Sequence, residues 1–488
     1  MNVKMLVYIL GKVLLIEGAL MFLPAACGII YREQEFIYYL VLAAFYIIAG
    51  YVISKNKPKN MTIFIKDGCV ATAMSWLLLS VCGCIPFTLT KEIPSFTDAM
   101  FETASGFTTT GASILTNVEA LSHTSLLWRS LTHWIGGMGV LVFLLAIVPM
   151  TGGSNMNLMK AESPGPSVGK IVPKVRTTAK MLYNIYMAIT ALEILILFVC
   201  GMPLFDSICS AFGTAGTGGF GIKNDSFASY APHIQWIVAV FMLIFGANFN
   251  FYYFVTTRQV SKAFKLSETK VYVAVAAVAT ALVCFSIYGI YGNLGDSLRH
   301  ALFQVATTMT TTGFATTDFD LWPSLAKFVL VALMFIGACA SSTGGGIKIS
   351  RFQIMFKTIR REIETYIHPK RVKKIQMDGK PVETETERSV ALYFFIYLLV
   401  FVFSMLIVSF EGHDLVTVFT SVAATLNNIG PGLSLVGPTH NYSFFTTLSK
   451  WVLIFDMIAG RLELIPILVF LNPFTYKGII KKVPKSQG

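Results

Sequence analysis

Charged side chains are scarce in this sequence: only 13% of its 488 residues are Asp, Glu, Lys or Arg, while 55% are hydrophobic and the mean hydropathy is +0.66. A water-soluble protein needs a polar surface that these proportions do not supply. The composition therefore excludes an ordinary soluble protein and predicts a chain whose solvent is lipid.

Motifs of enzymes and of zinc sites are also lacking. The sequence contains no HExxH pattern, its histidines are scattered, and GGGIKIS does not fit the GxxxxGK[ST] phosphate loop. The cysteines show no metal-ligand spacing and are interpreted as small core residues. They are Cys27, Cys69, Cys82, Cys84, Cys200, Cys209, Cys284 and Cys339. We therefore predict that the chain is not an enzyme and carries no covalently bound cofactor.

Long apolar stretches are abundant. A helix needs about 20 residues to cross a hydrocarbon core of ~30 Å. Ten stretches of that length occur, near residues 5–30, 36–54, 69–90, 126–149, 181–204, 232–256, 271–291, 325–346, 390–410 and 447–471. The first contains Glu17 and no obvious cleavage site, so we expect it to remain in the mature protein. The pattern predicts an all-α integral membrane protein with ten transmembrane helices.

The net charge of +12 is concentrated in every second loop. Basic clusters lie at residues 55–66, 160–176, 258–265, 348–374 and 477–482. The positive-inside rule places these loops, and with them both termini, in the cytoplasm. The stretch from Arg351 to Lys374 is interpreted as a contact for anionic lipid or as a docking surface for a partner.

Four of the outer loops contain an apolar stretch of about 10 to 15 residues, which is too short to cross a bilayer and indicates a re-entrant segment. Each stretch ends in small residues and a glycine: FTDAMFETASGFTTTGAS, LFDSICSAFGTAGTGGFG, LRHALFQVATTMTTTGFA and TSVAATLNNIGPGLS. This recurrence indicates a unit of span, short helix, extended segment and span that occurs four times after a two-span preamble. The predicted boundaries are residues 1–66 for the preamble and 67–176, 177–265, 266–375 and 376–488 for the four units.

The glycine segments have the chemistry of a cation pathway. A dehydrated cation needs replacement oxygens, and backbone carbonyls supply them without the deep trap of a full negative charge. Glycine allows the unusual backbone angles that aim successive carbonyls at one axis. The alternative is that these glycines and threonines only pack helices together, but four copies on the same side of the membrane favour the cation pathway.

These segments, together with SSTGGGIKISR and AGRLE, resemble the membrane subunit of the Trk/Ktr/HKT superfamily of potassium transporters, of the TrkH and TrkG type. The resemblance covers nearly the whole chain. It implies four pseudo-symmetric units of helix, pore helix and helix around one pore, with an N-terminal helix pair. It also implies potassium as the transported ion, a homodimer in the bacterial inner membrane, and a cytosolic nucleotide-binding regulator of the TrkA type.

Carried over residue by residue, the resemblance implies a potassium filter made of Thr109, Thr110 and Gly111; Thr217, Gly218 and Gly219; Thr311, Thr312 and Gly313; and Asn428, Ile429 and Gly430. The second and fourth copies depart from the threonine pattern, because Gly218 and Ile429 stand where the others have threonine. Backbone carbonyls survive that change, whereas a complete ring of threonine hydroxyls does not.

A gate is predicted below the filter. Gly344, Gly345 and Gly346 interrupt the eighth span, and three glycines cost roughly 3 kcal/mol of helix propensity relative to alanine. In the family this stretch forms an intramembrane loop, which we interpret as the gate, with Lys348 near its inner mouth. A tight helix crossing is the alternative.

Arg461 lies near the middle of the tenth stretch, where a charge costs at least about 2.5 kcal/mol. It either forms a buried ion pair with an acid such as Glu17 or Glu193, or obstructs the pore below the filter. Asp98 and Asp206, 13 residues before their glycines, either cap their short helices or attract cations.

Two modes of transport stay open. The leading hypothesis is channel-like potassium uptake, and the alternative is a proton- or sodium-coupled potassium symporter. Coupling needs a titrating group, and Glu17 and Glu193 are the glutamates deep in the early spans.

Overall fold

The computed structural model describes residues 1–60, 62–139, 175–369 and 374–477, and these are mostly helical. The first half comprises α1 (Val3–Leu20), α2 (Phe22–Tyr31), α3 (Phe36–Ser54), α4 (Ile65–Leu89), α5 (Phe96–Phe107), α6 (His123–Met138), α7 (Val175–Val199), α8 (Leu204–Gly216), α9 (Pro232–Gly246) and α10 (Phe249–Thr256). The second half comprises α11 (Val260–Ala263), α12 (Ser267–Tyr291), α13 (Leu294–Met309), α14 (Ser324–Ile336), α15 (Ile349–Ile367), α16 (Thr384–Val408), α17 (Leu415–Leu426), α18 (Thr447–Arg461) and α19 (Ile465–Leu471). Short 3-10 helices lie at Val118–Ala120, Phe319–Leu321, Ser409–Glu411, Ser434–Val436 and Pro473–Tyr476.

Within the described ranges, six helices are long and apolar enough to cross a membrane, or up to seven if α9 and α10 count as one bent span. The structure corrects two predicted stretches that were taken as continuous, the sixth and the tenth, and it shows that the predicted interruption of the eighth begins before the three glycines. The sixth is bent by 87° between α9 and α10, the eighth ends as a helix at Ile336, and the tenth is broken between Arg461 and Ile465. The second half of the fourth stretch, 126–149, lies outside the described residues.

Two of the three breaks coincide with left-handed residues. Gly337 has a φ of +69°, and Glu463 and Leu464 have φ values of +56° and +66°, which a right-handed helix does not allow. Hydropathy alone does not reveal such breaks, because the residues on both sides remain apolar. The three interruptions lie at the cytoplasmic side predicted from the charge pattern.

The short helices α5, α8, α13 and α17 end in the same way. In each predicted filter triplet, the N–H of the second residue donates to the carbonyl five positions earlier. Thr110 donates to Ser105 at 2.9 Å, and Thr312 donates to Thr307 at 2.8 Å. The residue before this donor is left-handed in all four copies, with φ values of +55°, +54°, +59° and +56° at Thr109, Thr217, Thr311 and Asn428. This is the Schellman arrangement, which ends a helix and turns the chain sharply.

The N-terminal helices pack against one another and against the first unit. Gly50 in α3 meets the backbone of α1, since a Cβ added there would lie 2.7 Å from the carbonyl oxygen of Gly11. Tyr39 of α3 shares a hydrogen bond of 2.9 Å with Ser125 of α6. A small antiparallel hairpin of β1 (Gln376–Met377) and β2 (Lys380–Pro381) packs against α15.

Candidate functional site: a closed ring of four glycine segments

The segments that follow the four short helices meet one another in cyclic order. We call residues 108–111, 216–219, 310–313 and 427–430 the tip segments. A Cβ built on Gly111 would overlap the carbonyl oxygen of Gly218, and one on Gly219 would overlap that of Thr312. A Cβ on Gly313 would overlap the carbonyl oxygen of Ile429. A Cβ on Gly430 would lie 2.7 Å from the carbonyl oxygen of Thr110, and this contact closes the ring.

Glycine is required at these four positions for two reasons. Their φ values are +80°, +78°, +93° and +96° at Gly111, Gly219, Gly313 and Gly430, where side chains are strained. Each also faces a carbonyl of the next segment at a distance that leaves no room for a methyl group. The ring is therefore a close assembly of backbone, as the glycine pattern of the sequence predicted.

Threonine hydroxyls support the first and third tip segments from behind. The Thr110 hydroxyl bonds that of Thr108 at 2.8 Å, and Thr312 bonds Thr310 at 2.7 Å. In the fourth segment Asn428 donates to Thr110 at 3.0 Å and to the carbonyl of Met457 at 2.8 Å. The predicted triplets are thus brought together, although their side chains are used differently.

A buried ion pair beside the ring was not found from the sequence. Arg129 Nε and Glu102 Oε1 are 2.6 Å apart, and Glu102 also accepts the N–H of Ile114 at 2.9 Å. Arg129 donates to the carbonyl of Gly221 at 2.8 Å, so the pair joins the chain beyond the first tip segment to the chain beyond the second. The sequence signal that could have revealed this ion pair is an acidic and a basic residue, each within an apolar stretch, because a buried charge requires a partner.

The predicted gate residues lie directly against the ring. We call residues 337–348 the glycine loop. The N–H of Gly345 donates to the hydroxyl of Thr311 at 2.6 Å, and the N–H of Gly346 donates to the carbonyl of Asn427 at 3.0 Å. A Cβ on Gly344 would lie 2.8 Å from the carbonyl oxygen of Thr310. The loop therefore touches the third and fourth tip segments through its backbone.

The opposite side of the glycine loop is attached to the bend between α9 and α10. Glu268 accepts the N–H of Ala340 and the side-chain amide of Asn248, both at 2.6 Å. Phe249 donates its N–H to the carbonyl of Ser341 at 3.0 Å. The buried Lys348 donates its ammonium to the carbonyl of Gly344 and so stabilises the loop itself.

Arg461 lies at the end of α18, at a helix break and not in the middle of a continuous span. It donates to the carbonyl of Thr343 at 2.8 Å and to those of Gly136 and Gly137 at 2.5 and 2.9 Å. The considered ion pair with Glu17 or Glu193 is not formed in the described part of the chain, where both carboxylates lack a hydrogen-bond partner. The neighbouring Glu463 is paired with Arg351.

Asp98 and Asp206 do not cap their helices, so the capping interpretation is wrong. Ser95 is the capping residue of α5, and α8 has no side-chain cap. Asp98 forms an ion pair of 2.6 Å with Lys450, and Asp206 accepts the hydroxyl of Tyr230 at 2.8 Å. Both carboxylates are therefore engaged in contacts between outer segments.

The fold and this site define a mostly helical membrane protein in which four short helices hold a closed ring of backbone against the glycine loop. The chain belongs to the TrkH family, described as cation transport protein, whose model matches residues 34–474. Because this is a family of transporters, the expectation that the chain is not an enzyme is confirmed.

Relatives match over nearly the full length. The Trk system potassium uptake protein TrkH of Salmonella typhimurium is 34% identical over 489 residues, which cover 97% of this chain and 99% of that protein. The Trk system potassium uptake protein TrkG of Escherichia coli is 31% identical over 483 residues, which cover 98% and 99%. The crystal structure of the potassium transporter TrkH from Vibrio parahaemolyticus superposes with a TM-score of 0.88 at 30% identity, covering 98% of this chain and 100% of that one.

Proposed function

We propose that this chain takes up potassium across a cell membrane through the ring of tip segments. The observation that carries the proposal is the cyclic contact of Gly111, Gly219, Gly313 and Gly430 with the carbonyl of the following segment. The backbone carbonyls of four tip segments held this closely can replace the hydration shell of one monovalent cation at a time. The names of the relatives, which are potassium uptake proteins, supply the identity of the ion.

The proposed filter consists of the twelve residues Thr109, Thr110, Gly111, Thr217, Gly218, Gly219, Thr311, Thr312, Gly313, Asn428, Ile429 and Gly430. The C-terminal ends of α5, α8, α13 and α17 lie at these residues, so the negative ends of four helix dipoles favour a cation there. Selectivity then rests mainly on carbonyl oxygens, because only two of the four copies carry a threonine pair.

The proposed architecture has ten spans, namely an N-terminal pair and four units with the boundaries 67–176, 177–265, 266–375 and 376–488. Both termini would be cytoplasmic and the membrane would be the bacterial inner membrane. The shared ending of the four short helices supports the repeat, and the basic loops support the orientation.

The proposed gate is the glycine loop with Gly344, Gly345, Gly346, Lys348 and Arg461. Its backbone contacts the ring from below, and Arg461 binds its Thr343 carbonyl, so a displacement of the loop would break a small number of hydrogen bonds. A homodimer and a cytosolic nucleotide-binding regulator of the TrkA type complete the proposal. The helix α15, which follows the loop directly, would transmit the regulator's movement to it.

Rubidium uptake tests the function. Potassium-starved cells that express the chain should accumulate rubidium over sodium, more strongly with a TrkA-like partner than without it. Gly313→Ser should lower the rubidium-to-sodium uptake ratio while leaving the amount of protein in the membrane unchanged, because its added side chain would overlap the carbonyl of Ile429. An unchanged ratio would contradict the filter assignment.

A proton- or sodium-coupled potassium symporter is the second candidate, and buried carboxyl groups favour it. Glu17 in α1 and Glu193 in α7 are 1% and 0% exposed, and neither carboxylate has a hydrogen-bond partner among the described residues. A carboxyl group in such a place can carry a proton. Potassium movement against its own gradient, driven by an imposed proton gradient and abolished by Glu17→Gln or Glu193→Gln, would favour the symporter. Movement only down the potassium gradient would favour the channel.

A further inference from the structure

The second tip segment lacks the hydroxyl pair that supports the first and the third. Gly216 and Gly218 stand where the first segment has Thr108 and Thr110. Without a replacement, the space behind this segment would be a cavity next to the ring, and cavities in a packed interior are destabilising.

The imidazole of His133 fills that space. A Cβ built on Gly218 would overlap its Cγ and Nδ1 atoms and lie 2.6 Å from its Cδ2 atom. A Cβ built on Gly216 would overlap the backbone carbonyl of the same residue. His133 is 0% exposed, so its imidazole is enclosed on all sides. The positions of Gly216 and Gly218 therefore leave room for His133 only because neither residue has a side chain.

The imidazole also joins two neighbouring tip segments through their backbone. Its Nδ1 atom lies 2.7 Å from the carbonyl oxygen of Gly106, in the last turn of α5, and its Nε2 atom lies 3.2 Å from the backbone nitrogen of Phe220, directly after Gly219. A carbonyl only accepts and an amide N–H only donates, so Nδ1 carries the proton and Nε2 accepts. The imidazole is consequently neutral and held in one orientation.

Every buried histidine needs hydrogen bonds to both ring nitrogens, so the informative observation is where the two partners of His133 lie. The two hydrogen bonds end on the helix that presents the first tip segment and on the residue that follows the second. One face of the Phe220 ring is contacted by the Arg129 guanidinium, 3.5 Å from the ring centroid, and its centroid lies 4.1 Å from that of the imidazole. The spacing of the first two segments therefore depends on α6.

We propose that His133 is a positioning residue of the filter, which takes the place of the threonine pair in the second segment and sets the separation of the first two segments. This inference rests on the proposed function, since it assigns part of the ion selectivity to His133. It also explains why Gly218 departs from the threonine pattern: a side chain there and the imidazole cannot be accommodated together.

The test uses the full-length protein in proteoliposomes and measures the rubidium-to-sodium uptake ratio. This ratio does not depend on how many molecules are folded, so a smaller amount of protein cannot imitate the effect. The variants are His133→Ala, Gly218→Thr and the combination of both. His440→Ala, at an exposed histidine, and Gly289→Ala, where an added Cβ meets no atom within 4 Å, are the controls.

We expect each single variant to lower the ratio about tenfold, because His133→Ala removes the two hydrogen bonds of the imidazole and Gly218→Thr displaces the imidazole that forms them. A tenfold change corresponds to about 1.4 kcal/mol. The combined variant should come closer to the wild-type ratio than either single variant, because the threonine then occupies the space of the imidazole. The controls should keep the wild-type ratio. If His133→Ala does not reach the membrane, His133→Asn takes its place, since it is smaller than the imidazole and still polar.

Independent or worse effects in the combined variant would overturn the proposal, and so would an unchanged ratio in both single variants. Gly313→Ser, measured in parallel, separates the two hypotheses. If it lowers the ratio while His133 variants do not, the filter stands and His133 has no role in it. If none of these variants changes the ratio, the filter assignment itself is wrong.

Discussion

The ring of tip segments and the glycine loop beneath it are both made of backbone, but they are held in opposite ways. In the ring, each tip segment turns at the end of its own short helix. Every copy has a left-handed residue at the same position, followed by a residue whose N–H donates to the carbonyl five positions earlier. The glycine loop is held mainly by other segments, through Glu268 and Phe249 on one side and Thr311 and Arg461 on the other, and Lys348 adds one contact within the loop.

This difference indicates which part is rigid and which part can move. A helix end recurs wherever its local sequence recurs, and its hydrogen bonds break only when the helix unwinds. A loop without regular structure depends on a few tertiary contacts, and the loss of one or two of them changes its position. We therefore expect substitutions in the ring to abolish selective transport and substitutions around the loop to change how often the pathway opens.

The largest effect is expected for Gly219→Ala in the ring. The new methyl group would overlap the carbonyl of Thr312, and alanine would be strained at the φ of +78°. These costs sum to about 3 kcal/mol, so rubidium uptake per molecule in the membrane should fall about 100-fold.

Gly289→Ala is the matched control, because an added Cβ at Gly289 meets no atom within 4 Å. It should transport normally. Equal losses of transport in the two variants would contradict a close assembly of backbone at Gly219.

Arg461→Ala should have the next largest effect, in the opposite direction. It removes the hydrogen bonds to Thr343, Gly136 and Gly137 and frees one side of the glycine loop. The leak of rubidium in the absence of a regulator should rise about tenfold, since a hydrogen bond from a charged group contributes about 1.5 to 3 kcal/mol.

Arg360→Ala controls for the loss of an arginine, because the Arg360 side chain is 81% exposed in α15. A leak that is equal in both variants, or an Arg461→Ala protein that is absent from the membrane, would argue that Arg461 supports the fold and not the closed loop.

A smaller effect is expected where the two regions touch. Thr311→Val keeps the shape of the side chain but removes the oxygen that accepts the N–H of Gly345 at 2.6 Å. The buried N–H would lose its partner, and the leak should rise about fivefold because such a loss costs about 1 kcal/mol. Thr311→Ser keeps the hydroxyl and should leak less than Thr311→Val. The same leak in both would mean that the ring and the loop are not coupled through this bond.

The smallest effect is expected far from both regions, at Glu33. Burial raises the pKa of this carboxylate, but hydrogen bonds from Thr124 and His123 outweigh burial and lower the pKa below its ordinary value. Glu33 accepts the N–H groups of His123 and Thr124 at 2.7 and 2.9 Å and so caps the start of α6. Glu33→Gln should lower the free energy of unfolding by about 1 kcal/mol at neutral pH and leave selectivity unchanged.

The pH dependence gives this prediction a sign. A carboxylate with a lowered pKa contributes its stability above its ordinary value of 4.5, and the contribution is lost as the pH falls through the folded pKa. The difference in thermal stability between wild type and Glu33→Gln should therefore shrink below about pH 4. If Glu33→Gln changed the ion ratio as strongly as a ring variant, the effects in the ring would reflect general destabilisation.

Much of the architecture follows from short-range patterns. The apolar stretches predict membrane helices, and the glycines that were expected to take unusual backbone angles, Gly111, Gly219, Gly313 and Gly430, all have positive φ values. The left-handed residues two positions before them were not predicted. The roles of these residues in ion binding stay predictions. The breaks in the sixth, eighth and tenth stretches were not predicted in full, because their flanking residues are as apolar as a continuous helix.

The residues around the ring were harder to find. His133, Arg129 and Glu102 carry no motif, and their partners are up to 92 residues away in the chain. The placement of Arg461 shows the same limit. Sequence reasoning correctly required a partner for a charge at that depth, but it considered acids, and the structure shows three carbonyl oxygens.

The sequence by itself determined that the chain lies in a membrane and that four glycine segments end four short helices, because hydropathy and helix-end preferences depend on neighbouring residues. Only the tertiary structure decided that these segments close into a ring, that the glycine loop bonds to Thr311, and that an imidazole stands behind Gly218. Those contacts join residues far apart in the chain, and their geometry depends on how whole helices pack.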